Sequence, residues 1–409
     1  MIAVGLAAAC GSLLFRELLH IVYRGLFGNT DVLSGVAALP WWACVLLPAV
    51  GAAIAALIVG WFRGGNSGVG GVMEAATLGR GSISFRASVA RVVASFAAVA
   101  SGGSIGREGP LIQLGAGIGE AFGRWSRLDV AQRQVIIAAG AAAGFASAYG
   151  TPLAAILFVS EVVTISSAMR LVLPASVAAV SAIIVTGFGP LYGARTFELH
   201  ATLELAAFAG LGVAAGLLGV GFMRLLDLVE RLFARLPGPA AIRAAIGGGL
   251  AGAIAIGVPG VAGNGYEAIH GLLDRSSIAG AVALLLVAKA IATAASVGSG
   301  VPGGVFTPSL LLGASLGHLV ALLLAACGAD VDAGAYAVAG MAATCAATTH
   351  APAMACVMLL ELTQDSALIA PILLCATIAT ITSRVLNPES LYTEELRRRG
   401  VPWPASVAR

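Results

Sequence analysis

Gly106-Arg107-Glu108-Gly109-Pro110-Leu111-Ile112-Gln113-Leu114-Gly115-Ala116-Gly117-Ile118-Gly119 and Gly304-Val305-Phe306-Thr307-Pro308-Ser309-Leu310-Leu311-Leu312-Gly313-Ala314-Ser315-Leu316-Gly317 are one pattern written twice, 198 residues apart. A second pair follows at an offset of 200. Ala139-Gly140, Ala142-Ala143, Ala146, Pro152, Ala155 and Glu161 match Ala339-Gly340, Ala342-Ala343, Ala346, Pro352, Ala355 and Glu361. Two matches in the same order at nearly the same offset mark an internal duplication. The chain therefore reads as two homologous membrane repeats, 1–198 and 199–396. A short cytoplasmic tail, 397–409, is expected after them, with no soluble regulatory domain.

The surroundings of these motifs are apolar. Of 409 residues, 59% are hydrophobic and 11% charged, against about 25% charged in an ordinary soluble domain. Mean hydropathy is +0.96. Lipid is thus the solvent for most of the chain, which excludes a secreted domain, a nucleic-acid binder and a cytosolic enzyme. Net charge is +3, and of 23 basic residues only Lys289 is a lysine. No basic tract suggests a nucleic-acid partner. The six cysteines (Cys10, Cys44, Cys327, Cys345, Cys356, Cys375) stand far apart without a C-x-x-C pair, so they read as small hydrophobes. The stretch Met1 to Leu14 lacks a basic n-region and stays apolar to Leu26, so it reads as a membrane helix and not a removable signal.

Apolar runs long enough to cross a bilayer, about 17–25 residues, are predicted at 3–27, 41–62, 202–222, 239–258, 277–297 and 366–386. Segments at 64–79, 101–123, 137–165, 298–326 and 337–363 are apolar but interrupted by Gly and Pro, where many of the 54 glycines concentrate. Non-helical backbone at membrane depth is tolerated only where it is buried in protein or lines a cavity. Duplicated halves with broken helices at matching positions point to a transport site between them. Arg63 and Arg397-Arg398-Arg399 suggest cytoplasmic ends, although Arg24 spoils a clean count.

Each repeated motif opens an apolar helix. Gly102 to Pro110 and Gly300 to Pro308 put a proline in the first helical turn, with glycines before it that let backbone N–H groups face a ligand. Helix starts carry unpaired donors and a partial positive charge, so two converging starts would hold a dehydrated anion. A cation would want carbonyls or carboxylates instead. Glu108 stands in the first loop, and a carboxylate in lipid-depth sequence is a functional hypothesis by default. Its own charge could fill the anion site, and once protonated it could swing away.

These residues resemble the paired signatures of the CLC chloride channels and chloride/proton antiporters. Gly106-Arg107-Glu108-Gly109-Pro110 and Gly304-Val305-Phe306-Thr307-Pro308 carry the likeness, with Gly144, Ala148, Pro152-Leu153-Ala154 and Asn387 to Tyr392. It runs from about residue 3 to residue 395. Gly263-Asn264-Gly265-Tyr266 and Thr348-Thr349-His350-Ala351-Pro352 are similar to the bacterial ClcB-type subgroup. The resemblance implies an all-α polytopic membrane fold, an inverted repeat of tilted, discontinuous helices, assembled as a homodimer with one pore per subunit. It implies a multi-pass protein of the bacterial inner membrane that passes chloride or similar anions, with protons as a second cargo in coupled members, and no cofactor or metal. Glu108 falls on the gating glutamate and proton acceptor. Gly106, Arg107, Gly109, Gly304, Val305, Phe306 and Thr307 fall on the anion site, and Tyr392 on the hydroxyl that closes its inner side.

Two departures matter. The family's first anion motif, Gly-Ser-Gly-x-Pro, is matched by Asn66-Ser67-Gly68-Val69-Gly70, so Ser67 (or its neighbour Asn66) takes the coordinating place while proline is replaced by Gly70. The inner glutamate of proton-coupled members falls on Val162, with Glu161 one residue earlier and about 100° around the helix. Glu161 and its repeat mate Glu361 suggest a shared structural role at a helix end. His350 reads as a loop-end residue, and no G-x-x-x-x-G-K-[ST] phosphate loop occurs. The expected function is glutamate-gated anion transport, channel-like or weakly coupled. A stoichiometric chloride/proton antiporter is the alternative within transport, and an intramembrane enzyme using Glu108 and His350 is a remote one.

Overall fold

The computed structural model describes residues 1–62, 68–79, 83–164, 168–187, 189, 191–197, 204–274 and 277–403. Ser67, Asn66 and Arg63 lie outside the described residues. Everything described is helix or connection, apart from one isolated bridge between Gly106 and Gly304. The helices, in order, are α1 (Ile2–Phe27), α2 (Val32–Ala38), α3 (Trp41–Trp61), α4 (Gly68–Met73), α5 (Phe85–Ala100), α6 (Glu108–Trp125), α7 (Val130–Tyr149), α8 (Pro152–Phe158) and α9 (Ala168–Thr186). They continue as α10 (Glu204–Arg235), α11 (Ala240–Gly257), α12 (Tyr266–Asp274), α13 (Ala279–Gly298), α14 (Phe306–Ala326), α15 (Ala333–Thr349), α16 (Pro352–Thr363), α17 (Ile369–Leu386) and α18 (Leu391–Arg398).

Seven helical stretches are long and apolar enough to cross a membrane, so the chain is a multi-pass membrane protein. Six of them hold the six predicted runs, though α10 extends to Arg235, beyond the expected 222. The seventh, α14, falls inside the predicted interrupted segment 298–326. Its break lies ahead of it, at residues 299–305, because Pro308 sits in the first turn, where it removes no intrahelical hydrogen bond. Downstream of Pro308 the helix runs unbroken for four turns and more. The α18 helix also crosses the expected tail boundary at 396 and ends at Arg398.

The core is packed through small residues. Lipid supplies no hydrophobic drive for helix association, so close backbone approach has to provide the contacts. Where α6 crosses α7, a methyl on Gly115 would collide with the backbone of Gly140, and a methyl on Gly140 with that of Gly115. Where α14 crosses α15, Gly313 and Gly340 stand in the same mutual relation. These four glycines come from the two repeated motifs, and they bring the segments that follow each loop to the same separation.

Two helices loosen at their C-terminal ends. A π-helical turn, Glu74–Leu78, extends α4, and another, Val159–Val163, extends α8. Such turns are rare and often adjoin functional sites.

Candidate functional site: two helix starts held back to back

The loops that precede α6 and α14 meet in the interior. Gly106 N–H donates to Gly304 C=O and Gly304 N–H to Gly106 C=O, both at 2.7 Å. This antiparallel exchange pairs the backbone of two non-helical segments in the interior. Ser104 Oγ lies 3.0 Å from Thr293 Oγ1 of α13, which fixes the first loop from a third side.

Helix α14 starts without a capping side chain of its own, since its N-cap is Val305. Its first-turn donors therefore need an acceptor from elsewhere. Glu108, in the first turn of α6, supplies one: Oε1 accepts from Thr307 N–H at 2.9 Å. The carboxylate is buried (2% exposed), and among the described residues its other oxygen, Oε2, has no hydrogen-bond partner. Both glycines of the bridge are required beside it. A side chain on Gly106 would collide with the carboxylate, and a Cβ on Gly304 would stand 2.6 Å from Oε2. The structure thus places a carboxyl group against a helix start that the sequence marks for an anion.

The remaining candidates gather around this pair. Gly109 backs onto Gly304, at 3.7 Å from a Cβ placed there. Glu108, Gly109, Gly304, Val305, Phe306 and Tyr392 line one cavity of about 450 Å³. Thr307 presents its amide to Glu108 and its hydroxyl, at 3.0 Å, to Tyr149. Arg107 goes elsewhere: it lines a separate cavity of about 110 Å³ with Ser12, Arg16 and Tyr149. A relay of rings ties the site together. Tyr392 meets Phe158 at 6.4 Å, Phe158 stacks on Phe145 at 4.8 Å, and Phe145 meets Phe306 at 5.7 Å. Tyr392 is held in register by a capping box between Ser390 and Thr393 at the start of α18.

Val162 is buried in the π-helical turn after α8. Glu161 faces the other half of the chain and accepts from Ala353 N–H at 3.3 Å and Met354 N–H at 2.7 Å, at the start of α16. Glu361 returns the arrangement, accepting from Leu153 and Ala154 N–H at 2.9 and 2.8 Å, at the start of α8. His350 occupies the left-handed C-cap of α15 and its Nε2 lies 3.3 Å from Ser383 Oγ. It shares no hydrogen-bond partner with Glu108.

Three features escaped the sequence reading. Tyr149 looks like an ordinary helix-end aromatic, and only the fold brings it to Thr307, 158 residues away. Lys289 is wholly buried, its ammonium donating to Val261 and Gly263 C=O at 2.9 Å each. As the single lysine of an apolar chain it could have been singled out. Gln113 was quoted only as part of the motif, yet its Oε1 accepts from Gly68 N–H at 2.9 Å and so anchors α4.

Comparison with known proteins agrees with this geometry. The family described as "Voltage gated chloride channel" matches residues 50–384. A ClcB-like chloride channel protein of Ralstonia nicotianae is 40% identical, over 97% of this chain and 95% of that protein. The voltage-gated ClC-type chloride channel ClcB of Salmonella typhimurium is 33% identical over 96% of each. Among solved structures, a slow cyanobacterial Cl⁻/H⁺ antiporter superposes with a TM-score of 0.86 at 24% identity, over 97% of this chain and 96% of that one. A CLC-type fluoride/proton antiporter gives 0.78 at 23%, over 96% and 95%. With its family match spanning most of the sequence and its helices arranged in the CLC fold, the chain belongs to the CLC family of voltage-gated chloride channels and their transporter relatives.

Proposed function

We propose that this protein carries chloride, or a similarly small anion, across a bacterial inner membrane, and that Glu108 gates the route. The observation that carries this reading is the hydrogen bond from Thr307 N–H to the Glu108 carboxylate. A carboxylate seated at an uncapped helix start stands in for the transported anion. Ionised, it blocks; protonated, it gives up that seat and an anion takes the amide. Phe306, Tyr392 and Ser67 complete the anion's surroundings, and Gly106, Gly109 and Gly304 keep them clear of side chains. Arg107 acts at a distance, drawing anions through its own cavity.

In this reading the halves 1–198 and 199–396 are duplicated repeats, and two copies of the chain pair with one route in each. The face that carries Arg231, Arg235 and Arg397 to Arg399 is cytoplasmic, by the bias of basic residues toward that side. Conduction is uncoupled or weakly coupled to protons. Support comes from Val162, which can neither hold nor pass a proton, and from Glu161, whose oxygens are committed to the start of α16. The antiporter alternative draws support from the printed descriptions of the structural neighbours.

Anion efflux from liposomes holding only the purified protein tests the transport reading, with empty liposomes as the reference. An imposed chloride gradient then decides the coupling. Protons driven uphill in a fixed ratio to chloride would replace the channel-like reading with the exchanger.

A further inference from the structure

The 450 Å³ cavity that holds Glu108 and Tyr392 also holds a second acid that no motif marks. Glu395 lies three residues after Tyr392, so both project from one face of α18. Its carboxylate rests on the backbone of α4, beside Gly68 and Gly70. A Cβ on Gly70 would stand 3.1 Å from its carboxyl carbon, and one on Gly68 3.3 Å from Oε1. Gly70 replaces the proline of the family's motif. A proline there would have no N–H to offer and its ring would crowd the carboxylate, so the departure at Gly70 and the acid at Glu395 fit each other.

The charged neighbours come from three elements. Arg399 at the end of α18 and Arg91 of α5 face Glu395 with positive charge, and Glu230 of α10 opposes them. The other acids at this mouth have arginine partners. Glu230 and Glu394 pair with Arg398, which also meets Asp227 at 2.8 Å, and Glu74 pairs with Arg399 at 2.8 Å. Charge in the low-dielectric lining of a narrow cavity acts strongly on a passing ion of the same sign.

We propose that Glu395 is a second gating carboxylate, set at the arginine-rich mouth of this cavity, so that an anion passes only when Glu395 is protonated or swings off Gly70. The proposal rests on the anion-transport reading above and adds a second titrating group to it. Acid would then open the route in two steps, one at each carboxylate.

The test is anion efflux from liposomes of the full chain, with pH set equal on both sides so that the orientation of the protein does not matter. Glu395→Gln is expected to raise efflux at neutral pH about threefold or more, roughly the effect of removing one modest interaction. Glu108→Gln alone should keep a residual acid activation, which the double variant loses. Glu395→Asp retains an acid with a shorter reach and should stay acid-activated. A mere brace between α18 and α4 predicts that the Asp and Gln variants behave alike. If Glu395→Gln does not fold, Gly70→Pro removes the amide and carries the same expectation of raised efflux. Wild-type efflux in the Gln variant, with Glu108→Gln already flat across pH, would overturn the second gate and leave the first standing. Acid activation kept in full by Glu108→Gln but lost in the double variant would instead defeat the Glu108 reading, and activation kept in full by the double variant would defeat both.

Discussion

The two halves of the chain meet at several places, among them α3 against α11, where Gly248 and Gly252 pack on the backbone of Pro48 and Cys44, and two of these contacts differ in kind. At the α8–α16 contact the halves exchange like for like. Glu161 accepts the first amides of α16, and Glu361 accepts the first amides of α8, all at 2.7–3.3 Å. At the α6–α14 contact the backbone exchange between Gly106 and Gly304 is equally even, at 2.7 Å in each direction. The side chains there are not. One half brings Glu108, while the other brings Phe306 and an uncapped helix start. A carboxylate repaid by its own counterpart has one stable place and makes a brace. A carboxylate with no counterpart, and with one oxygen left without a donor, has a reason to leave. In the proposed reading the even contact braces the fold and the uneven one gates the anion.

Glu108→Gln breaks the uneven contact and should have the largest effect. The amide keeps the shape and removes the charge, so it mimics the protonated form. Efflux at neutral pH is expected to rise toward its acid level, leaving only the residual acid activation assigned to Glu395. For the wild type the sign follows from the competition: as pH falls, Glu108 becomes neutral and flux increases. Unchanged pH dependence in the variant would retire the gate.

Next come the hydroxyls proposed to replace water around the anion. A hydrogen bond to a charged group contributes roughly 1.5–3 kcal/mol. Tyr392→Phe and Ser67→Ala should therefore each weaken chloride binding about tenfold or more. Calorimetry that returned wild-type affinity in both would move the site away from these two hydroxyls.

The smallest effects belong to the even contact. Glu161→Gln and Glu361→Gln each remove a charge from a helix start, which costs about 0.5–2 kcal/mol of stability by the usual range for such caps. The account expects both to lower the midpoint of thermal unfolding by a similar amount and to leave the pH profile of efflux alone. If Glu161→Gln altered proton movement while Glu361→Gln did not, the brace would be a proton route and the contact would not be even.

The helix starts at α6 and α14 and the place of Glu108 in the first of them were legible in the sequence because each is local. A Gly-Pro loop ahead of an apolar run announces a helix start wherever it falls. What the sequence hid depends on long closures. Tyr149 reaches Thr307, Gln113 reaches Gly68, and Glu395 reaches Gly70 only after α4, α6, α14 and α18 have converged. Segment 298–326 reads as interrupted throughout because glycines and prolines cluster at its start, although the structure confines the break to the residues before Phe306. Glu161 is placed by the π-helical turn after α8, which no spacing rule for a regular helix anticipates.

The central claim is that the Glu108 carboxylate and the anion compete for one helix start. Calorimetric chloride titration of purified wild type and Glu108→Gln, from about pH 4 to about pH 8, takes an ordinary glutamate from mostly neutral to fully ionised. The account predicts that wild-type affinity climbs about tenfold or more on acidification, while the variant binds at the acidic wild-type level throughout. Parallel curves, both rising or both flat, would mean that the carboxylate and the anion do not share a seat.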